Sequence, residues 1–238
     1  MAPVSAFAVS PLFTDDADTV PKGKLQLGTG VEYYKAGSLR RWSLPLNPVL
    51  GLSDRWEAGL YSGYQWQEVR DSAGATKRID GVLDTSVGTK WKWFDQTNHW
   101  CSLSTRLDVK IPTASDGKGL GTGKTDVGGL LIATKTVGAT SFDFNLGYTF
   151  FDAWGTGLGD DELFVGQTVR HALNERWTLV GEVFGRVPFD GGHDATANFN
   201  GGVQYFLKPN LALEAAALTA VGRNSPDLTI YLGVTWVF

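Results

Sequence analysis

The sequence predicts an all-β protein, a transmembrane antiparallel up-and-down β-barrel of about 12 strands. Three observations carry that expectation. Segments alternating between apolar and polar residues recur about every twenty residues, which is the period-two signature of strands with two unlike faces. The chain closes on Leu228-Thr229-Ile230-Tyr231-Leu232-Gly233-Val234-Thr235-Trp236-Val237-Phe238, where Ile230, Leu232, Val234, Trp236 and Phe238 share one face up to a terminal aromatic. Connections alternate between short turns and longer stretches rich in Gly and Asp, the outer-membrane arrangement of turns at one end and loops at the other.

Composition fits. The 238 residues suffice for a single all-β domain. Charged residues are 19 %, below the ordinary quarter, while nine Trp, seven Tyr and thirteen Phe are many for this length. No run approaches the roughly eighteen apolar residues of a membrane helix. A mean hydropathy of -0.11 is consistent with a spanning barrel, because lipid-facing apolar residues alternate with polar lumen residues. Basic residues are scattered and the net charge is -4, so no nucleic-acid footprint is present. The single cysteine, Cys101, cannot form an intramolecular disulfide. It opens the alternation Cys101, Leu103, Thr105, Leu107, Val109, Ile111 and reads as a small hydrophobe. Ser5-Ala6-Phe7-Ala8 is similar to the tail of a signal-cleavage site, without the charged region that precedes one.

The elements follow in order. Leu25, Leu27, Thr29, Val31 and Tyr33 share a face. A second strand over about 41–51 sets Trp42, Leu44, Leu46 and Leu50 together, weakened by Pro45 and Pro48, which remove ladder donors. Trp56, Ala58, Leu60, Ser62, Tyr64 and Trp66 oppose Glu57, Gly59, Tyr61, Gly63, Gln65 and Gln67; next, Leu83, Thr85, Val87, Thr89, Trp91 and Trp93 oppose Asp84, Ser86, Gly88, Lys90 and Lys92. The Cys101–Ile111 face opposes Ser102, Ser104, Arg106, Asp108 and Lys110. The stretch over about 125–137 is Gly-rich and apolar on both faces, which leaves its orientation open. Phe142, Phe144, Leu146, Tyr148 and Phe150 oppose Asp143, Asn145 and Gly147. Five more strands lie near 162–172, 176–187, 196–206, 210–219 and 228–238.

Short connections fall at 52–55, 138–139, 173–175 and 208–210, and longer ones at about 70–79, 112–124, 152–161 and 188–195. The connections near 36–40 and 95–99 blur the contrast. Trp and Tyr at the ends of apolar faces suit the two membrane interfaces. The expected division is an N-terminal periplasmic or lumenal segment, 1–22, followed by the barrel, 23–238. Within the first part, Asp15, Asp16 and Asp18 read as a solvated acidic stretch, since the alternating ligands and closing Glu of a calcium loop are missing.

Catalytic and cofactor signatures fail on spacing. Around Gly117-Lys118-Gly119-Leu120-Gly121-Thr122-Gly123-Lys124-Thr125 the phosphate-loop pattern needs Gly where Lys118 stands, and no helix follows to bind phosphate. His99, His171 and His193 sit in or beside turns, without partners at metal-ligand spacing and without a serine on a shared mid-strand face. No enzyme activity, metal or cofactor is expected. One constellation remains. Glu57, Asp84, Lys90, Lys92, Arg106, Asp108, Lys110, Asp143, Arg170, Glu182, Arg186 and Glu214 all lie opposite the apolar stripes. Charges turned inward suit a hydrated lumen far better than a dry core. They either line a path for solutes or pair with one another and plug it.

Several short stretches resemble one family. They are Phe13-Thr14-Asp15-Asp16 followed by Gly23-Lys24-Leu25-Gln26-Leu27, Ile111-Pro112-Thr113 with Thr125-Asp126-Val127-Gly128 after the Gly-rich loop, Asn145-Leu146-Gly147-Tyr148-Thr149, and the Ser225-Pro226-Asp227 turn. Together they resemble the outer-membrane family named for the MetA pathway of phenol degradation. The resemblance implies a transporter-like barrel of the bacterial outer membrane that passes small, including aromatic, molecules, and it carries over no catalytic residue. The expected partners are outer-membrane lipid, the barrel-assembly machinery, which would read the Ile230–Phe238 face, and a small-molecule solute; nucleic acid is not among them. Two other functions stay open: a non-conducting structural or adhesion barrel with a charge-plugged lumen, and a soluble lipid-binding barrel, apolar inside.

Overall fold

A computed structural model describes residues 12–70, 74–152, 161–189, 195–222 and 225–238. The cleavage-like Ser5-Ala6-Phe7-Ala8 stretch and His193 lie outside the described residues. Among those described there is no helix. The strands are β1 (Leu25–Ala36), β2 (Leu39–Ser53), β3 (Trp56–Arg70), β4 (Thr76–Val82), β5 (Thr85–Phe94), β6 (Ser102–Ile111) and β7 (Asp126–Val137). They continue with β8 (Thr140–Phe150), β9 (Glu162–Ala172), β10 (Trp177–Pro188), β11 (Thr196–Lys208), β12 (Leu211–Val221) and β13 (Leu228–Val237). Consecutive strands pair antiparallel except β4 and β5, which both pair with β3, and β13 returns to β1, with Leu27 opposite Trp236 and Val31 opposite Leu232. Strand β3 pairs with β4 over its far half and with β5 over its near half, so these two segments form one stave of a closed twelve-stranded barrel.

Three local expectations are corrected. The stretch over 70–79 is not all loop: Thr76–Val82 pairs with Tyr64–Arg70, whose backbone groups would otherwise lack partners. Asp84 falls in the break between β4 and β5, where Leu83 N donates to Gly63 O at 2.9 Å and the Asp84 carboxylate accepts from Ala114 N at 2.9 Å. The break is therefore the anchor of the following loop. The second strand runs through both prolines. Pairing to β1 lapses at Leu44 and Pro45, and pairing to β3 at Asn47 and Pro48, yet the register is unchanged on either side. The connection near 36–40 is a tight turn at Gly37, whose φ of 53° suits glycine.

The third correction concerns the acidic stretch, which enters the barrel. Gly23 N donates to Gly51 O at 2.8 Å at the short-turn end, and residues 13–20 run from there across the interior to β9 and β10. Asp16 is 3 % exposed.

Alternation sorts the wall. Trp42, Leu60, Val87, Leu131, Phe144, Leu146, Val165, Leu179, Phe199 and Leu213 are exposed on the outside. Gln65, Ser104, Asn145, Thr168, Asn200, Gln204 and Thr235 are buried inside. A soluble lipid-binding barrel has the reverse arrangement. Aromatic pairs gather at both ends of the apolar belt: Trp56–Trp91 at 6.1 Å, Trp177–Tyr205 at 4.6 Å and Trp236–Phe238 at 4.2 Å near the short turns, and Tyr33–Trp42 at 4.7 Å near the loops. Such rings suit the interfaces on either side of a bilayer core.

Candidate functional site: the strapped barrel interior

The inner wall is mostly polar because the inward faces of the strands carry most of the chain's polar alternation, and the N-terminal strap fits that wall residue by residue. Phe13 N and Thr14 N donate to Glu182 Oε1 at 2.9 and 2.6 Å. Thr14 and Thr168 share a hydroxyl contact of 2.5 Å. Asp15 N donates to Asn145 Oδ1, while the Asp15 carboxylate meets Lys90 at 3.1 Å and, more loosely, Arg106 at 3.5 Å. Asp16 faces Arg170 at 3.0 Å. Ala17 N donates to Thr134 Oγ1, which donates on to Asp143, and Ala17 O accepts from Ser104. Asp18 meets Lys92 at 3.3 Å, and Val20 N donates to Glu57. Two glycines make room: a Cβ on Gly51 would overlap the carbonyls of Val20 and Pro21, and one on Gly166 would crowd Thr14 and Phe164.

These contacts gather part of the charged set. Lys90, 2 % exposed, sits between Asp15 and Glu57, and Arg170 sits between Asp16 and Asp143, at 2.8 Å from the latter. Buried charges demand this kind of pairing, because an isolated one would cost several kcal/mol. Arg106 pairs with Asp108 at 2.9 Å, and Lys92 also approaches Asp95 at 3.5 Å. Other charges stand apart. Lys110, Asp84 and Asp126 form a cluster at the loop end with Thr122. Arg186 pairs with Glu162 at 2.6 Å and lies over the rings of Phe164 and Phe184. Glu182 also accepts from Asn200 at 3.0 Å. Glu214 is buried opposite Gln204. On β13, Ile230, Leu232 and Trp236 are exposed on the outer face, as is Phe238 just beyond it, whose N donates to Leu25 O at 2.8 Å.

Beside the strap lies a cavity of about 470 Å³. Its strap side is Leu12, Phe13, Thr14 and Asp15, with Lys90, Arg106 and Asp108 next to it. The arc from β12 through β13 and β1 to β3 supplies mostly uncharged residues: Ala216, Leu218, Tyr231, Pro45, Asn47, Val49 and Tyr61. Sequence reasoning missed two parts of this site. The strap's aspartates carry no local sign of their distant partners. The inward apolar cluster of Phe164, Phe184 and Leu218 shares a face with Arg170, Glu182 and Glu214, and the spacing alone could have found it.

Solved structures share this architecture. The COG4313 outer membrane channel from Pseudomonas putida F1 superposes with a TM-score of 0.74 at 16 % identity, covering 95 % of this chain and 100 % of that one. The NanC porin gives 0.61 at 11 % identity over 89 % and 98 %, and the KdgM porin 0.59 at 11 % over 90 % and 99 %. No curated protein matches the sequence. The barrel, its apolar belt and these neighbours support a bacterial outer-membrane location, and the neighbours are channels and porins, not enzymes. The family described as "Putative MetA-pathway of phenol degradation" matches residues 8–238, nearly the whole chain, and the protein belongs to it.

Proposed function

We propose that the protein is an outer-membrane channel or facilitator for small amphipathic molecules, aromatic ones among them. The cavity beside the strap carries this reading. It combines a largely uncharged side holding Val49, Tyr61 and Leu218, with Glu32 among them, and a side of paired charges at Asp15, Lys90 and Arg106. A molecule with an apolar body and one polar group can satisfy both sides at once. Phenol, which the family description names, has that chemistry. Lipid would contact the outer belt, the barrel-assembly machinery would read the last strand, and Glu57, Asp84, Lys90, Lys92, Arg106, Asp108, Lys110, Asp143, Arg170, Glu182, Arg186 and Glu214 would set the electrostatics of the lumen.

The competing reading, a structural barrel with a plugged interior, draws on the pairs Lys90–Asp15 and Arg170–Asp16 that tie the strap across the lumen. Single-channel recording in planar bilayers separates the two. A channel lined by both signs gives small steps with weak ion selectivity, because strong selectivity needs rings of one sign. A silent bilayer containing folded barrels, confirmed by a heat-modifiable gel shift, favours the structural reading.

A further inference from the structure

The strap is fastened along its length while one of its side chains is left bare. Between Phe13 and Val20 each residue is tied to the wall through backbone or side chain, to Glu182, Thr168, Asn145, Arg170, Thr134, Lys92, Asp54 and Glu57 in turn. Withdrawal would take Asp15 from buried Lys90 and Asp16 from buried Arg170. Deeply buried pairs resist separation, because each half is left poorly solvated. The Phe13 ring, by contrast, is 45 % exposed and borders the cavity. It stands 4.7 Å from the buried ring of Phe184, which in turn lies 5.6 Å from Phe164. An exposed aromatic on a rigid aromatic backing, at the border between the cavity's apolar and charged sides, offers a contact face for another apolar group.

We propose that the strap stays in place during transport as a fixed partition, and that Phe13, backed by Phe184, determines specificity by contacting the apolar part of the permeant. This rests on the channel reading above. The solute is then an amphipathic aromatic that passes beside the strap, with its ring against Phe13 and its polar group toward the paired charges of Asp15 and Arg106.

The test locks the strap. In a Cys101→Ser background, Thr14→Cys with Thr168→Cys replaces two γ-oxygens 2.5 Å apart by sulfurs, close to the roughly 2.0 Å of a disulfide. Loss of thiol labelling reports closure. Proteoliposomes then compare uptake of phenylalanine, an amphipathic aromatic, with uptake of glucose. The oxidised pair should retain flux within about twofold of its reduced form. Phe13→Ala should lower the phenylalanine-to-glucose ratio at least threefold, while Phe13→Tyr should keep it. Flux that dies on oxidation and returns on reduction overturns the partition. An equal rise for both solutes in Phe13→Ala overturns the contact role. A parent barrel that is folded yet closed to both solutes defeats the channel reading itself, so the two failures are distinguishable. Should the cysteine pair not fold, the Phe13 variants still decide the contact role, and photocrosslinking of the strap during flux decides the partition.

Discussion

Replacing Arg170 by Met should destabilise the barrel by about 3–5 kcal/mol, the usual cost of removing one partner from a buried ionic group. Arg170 is 6 % exposed, and its guanidinium reaches Asp16 at 3.0 Å and Asp143 at 2.8 Å. At an effective dielectric near 20, unit charges about 3 Å apart attract by about 5.5 kcal/mol. Methionine fills much of the same volume but leaves two carboxylates facing one another, and both are nearly inaccessible to solvent. Desolvation of the original trio offsets much of that attraction, so the triple variant Asp16→Asn, Asp143→Asn, Arg170→Met should recover most of the loss. Lys35–Asp227, 3.8 Å apart and about half exposed, provides the control: Lys35→Met should change stability by about 0–1 kcal/mol. Urea titration of barrels in vesicles, followed by tryptophan fluorescence and gel shift, measures all three. A loss below about 1 kcal/mol for Arg170→Met would instead show an interior wet enough to solvate the stranded carboxylates.

Further outcomes follow from the same geometry. Val87→Arg or Leu146→Arg, at exposed outward sites, should cost roughly 2–4 kcal/mol near the bilayer midplane and impair assembly, whereas Ser86→Arg, which borders the cavity, should be tolerated; equal recovery of all three variants in lipid would reverse the assigned faces. Gly51→Val should displace the strap at its entry and expose it to added protease, with the twelve strands intact by circular dichroism; unchanged protection would mean that the seat is looser than drawn. Deleting Phe238 should lower outer-membrane levels in cells more than it lowers stability of refolded barrels, and equal cellular levels would remove the assembly role. Arg106→Ala with Lys110→Ala should leave a folded barrel whose conductance shifts toward cations, as Asp108 and Asp84 lose their counter-charges.

Strands were legible wherever the two faces differ sharply, as in Trp56–Trp66 and Phe142–Phe150, because a side chain's parity on a strand fixes its side of the wall. Thr76–Val82 was not, since TKRIDGV is polar on both faces and resembles a loop. Prolines in Leu39–Ser53 hid the strength of that strand, because ladder pairing on either side of each gap compensates locally. The strap was invisible for a different reason. Asp15 and its partner Lys90 are 75 residues apart, and neither period nor composition links them. Alternation says that a charge points inward; it does not say what meets it there.

The most direct test of the account is osmotic swelling of proteoliposomes across solutes of graded size. A barrel whose lumen is crossed by the strap, with an open cavity beside it, should admit glycerol, phenylalanine and glucose with steeply falling rates and exclude a trisaccharide. Swelling no faster than that of empty liposomes for every solute, from barrels shown to be folded, would contradict it.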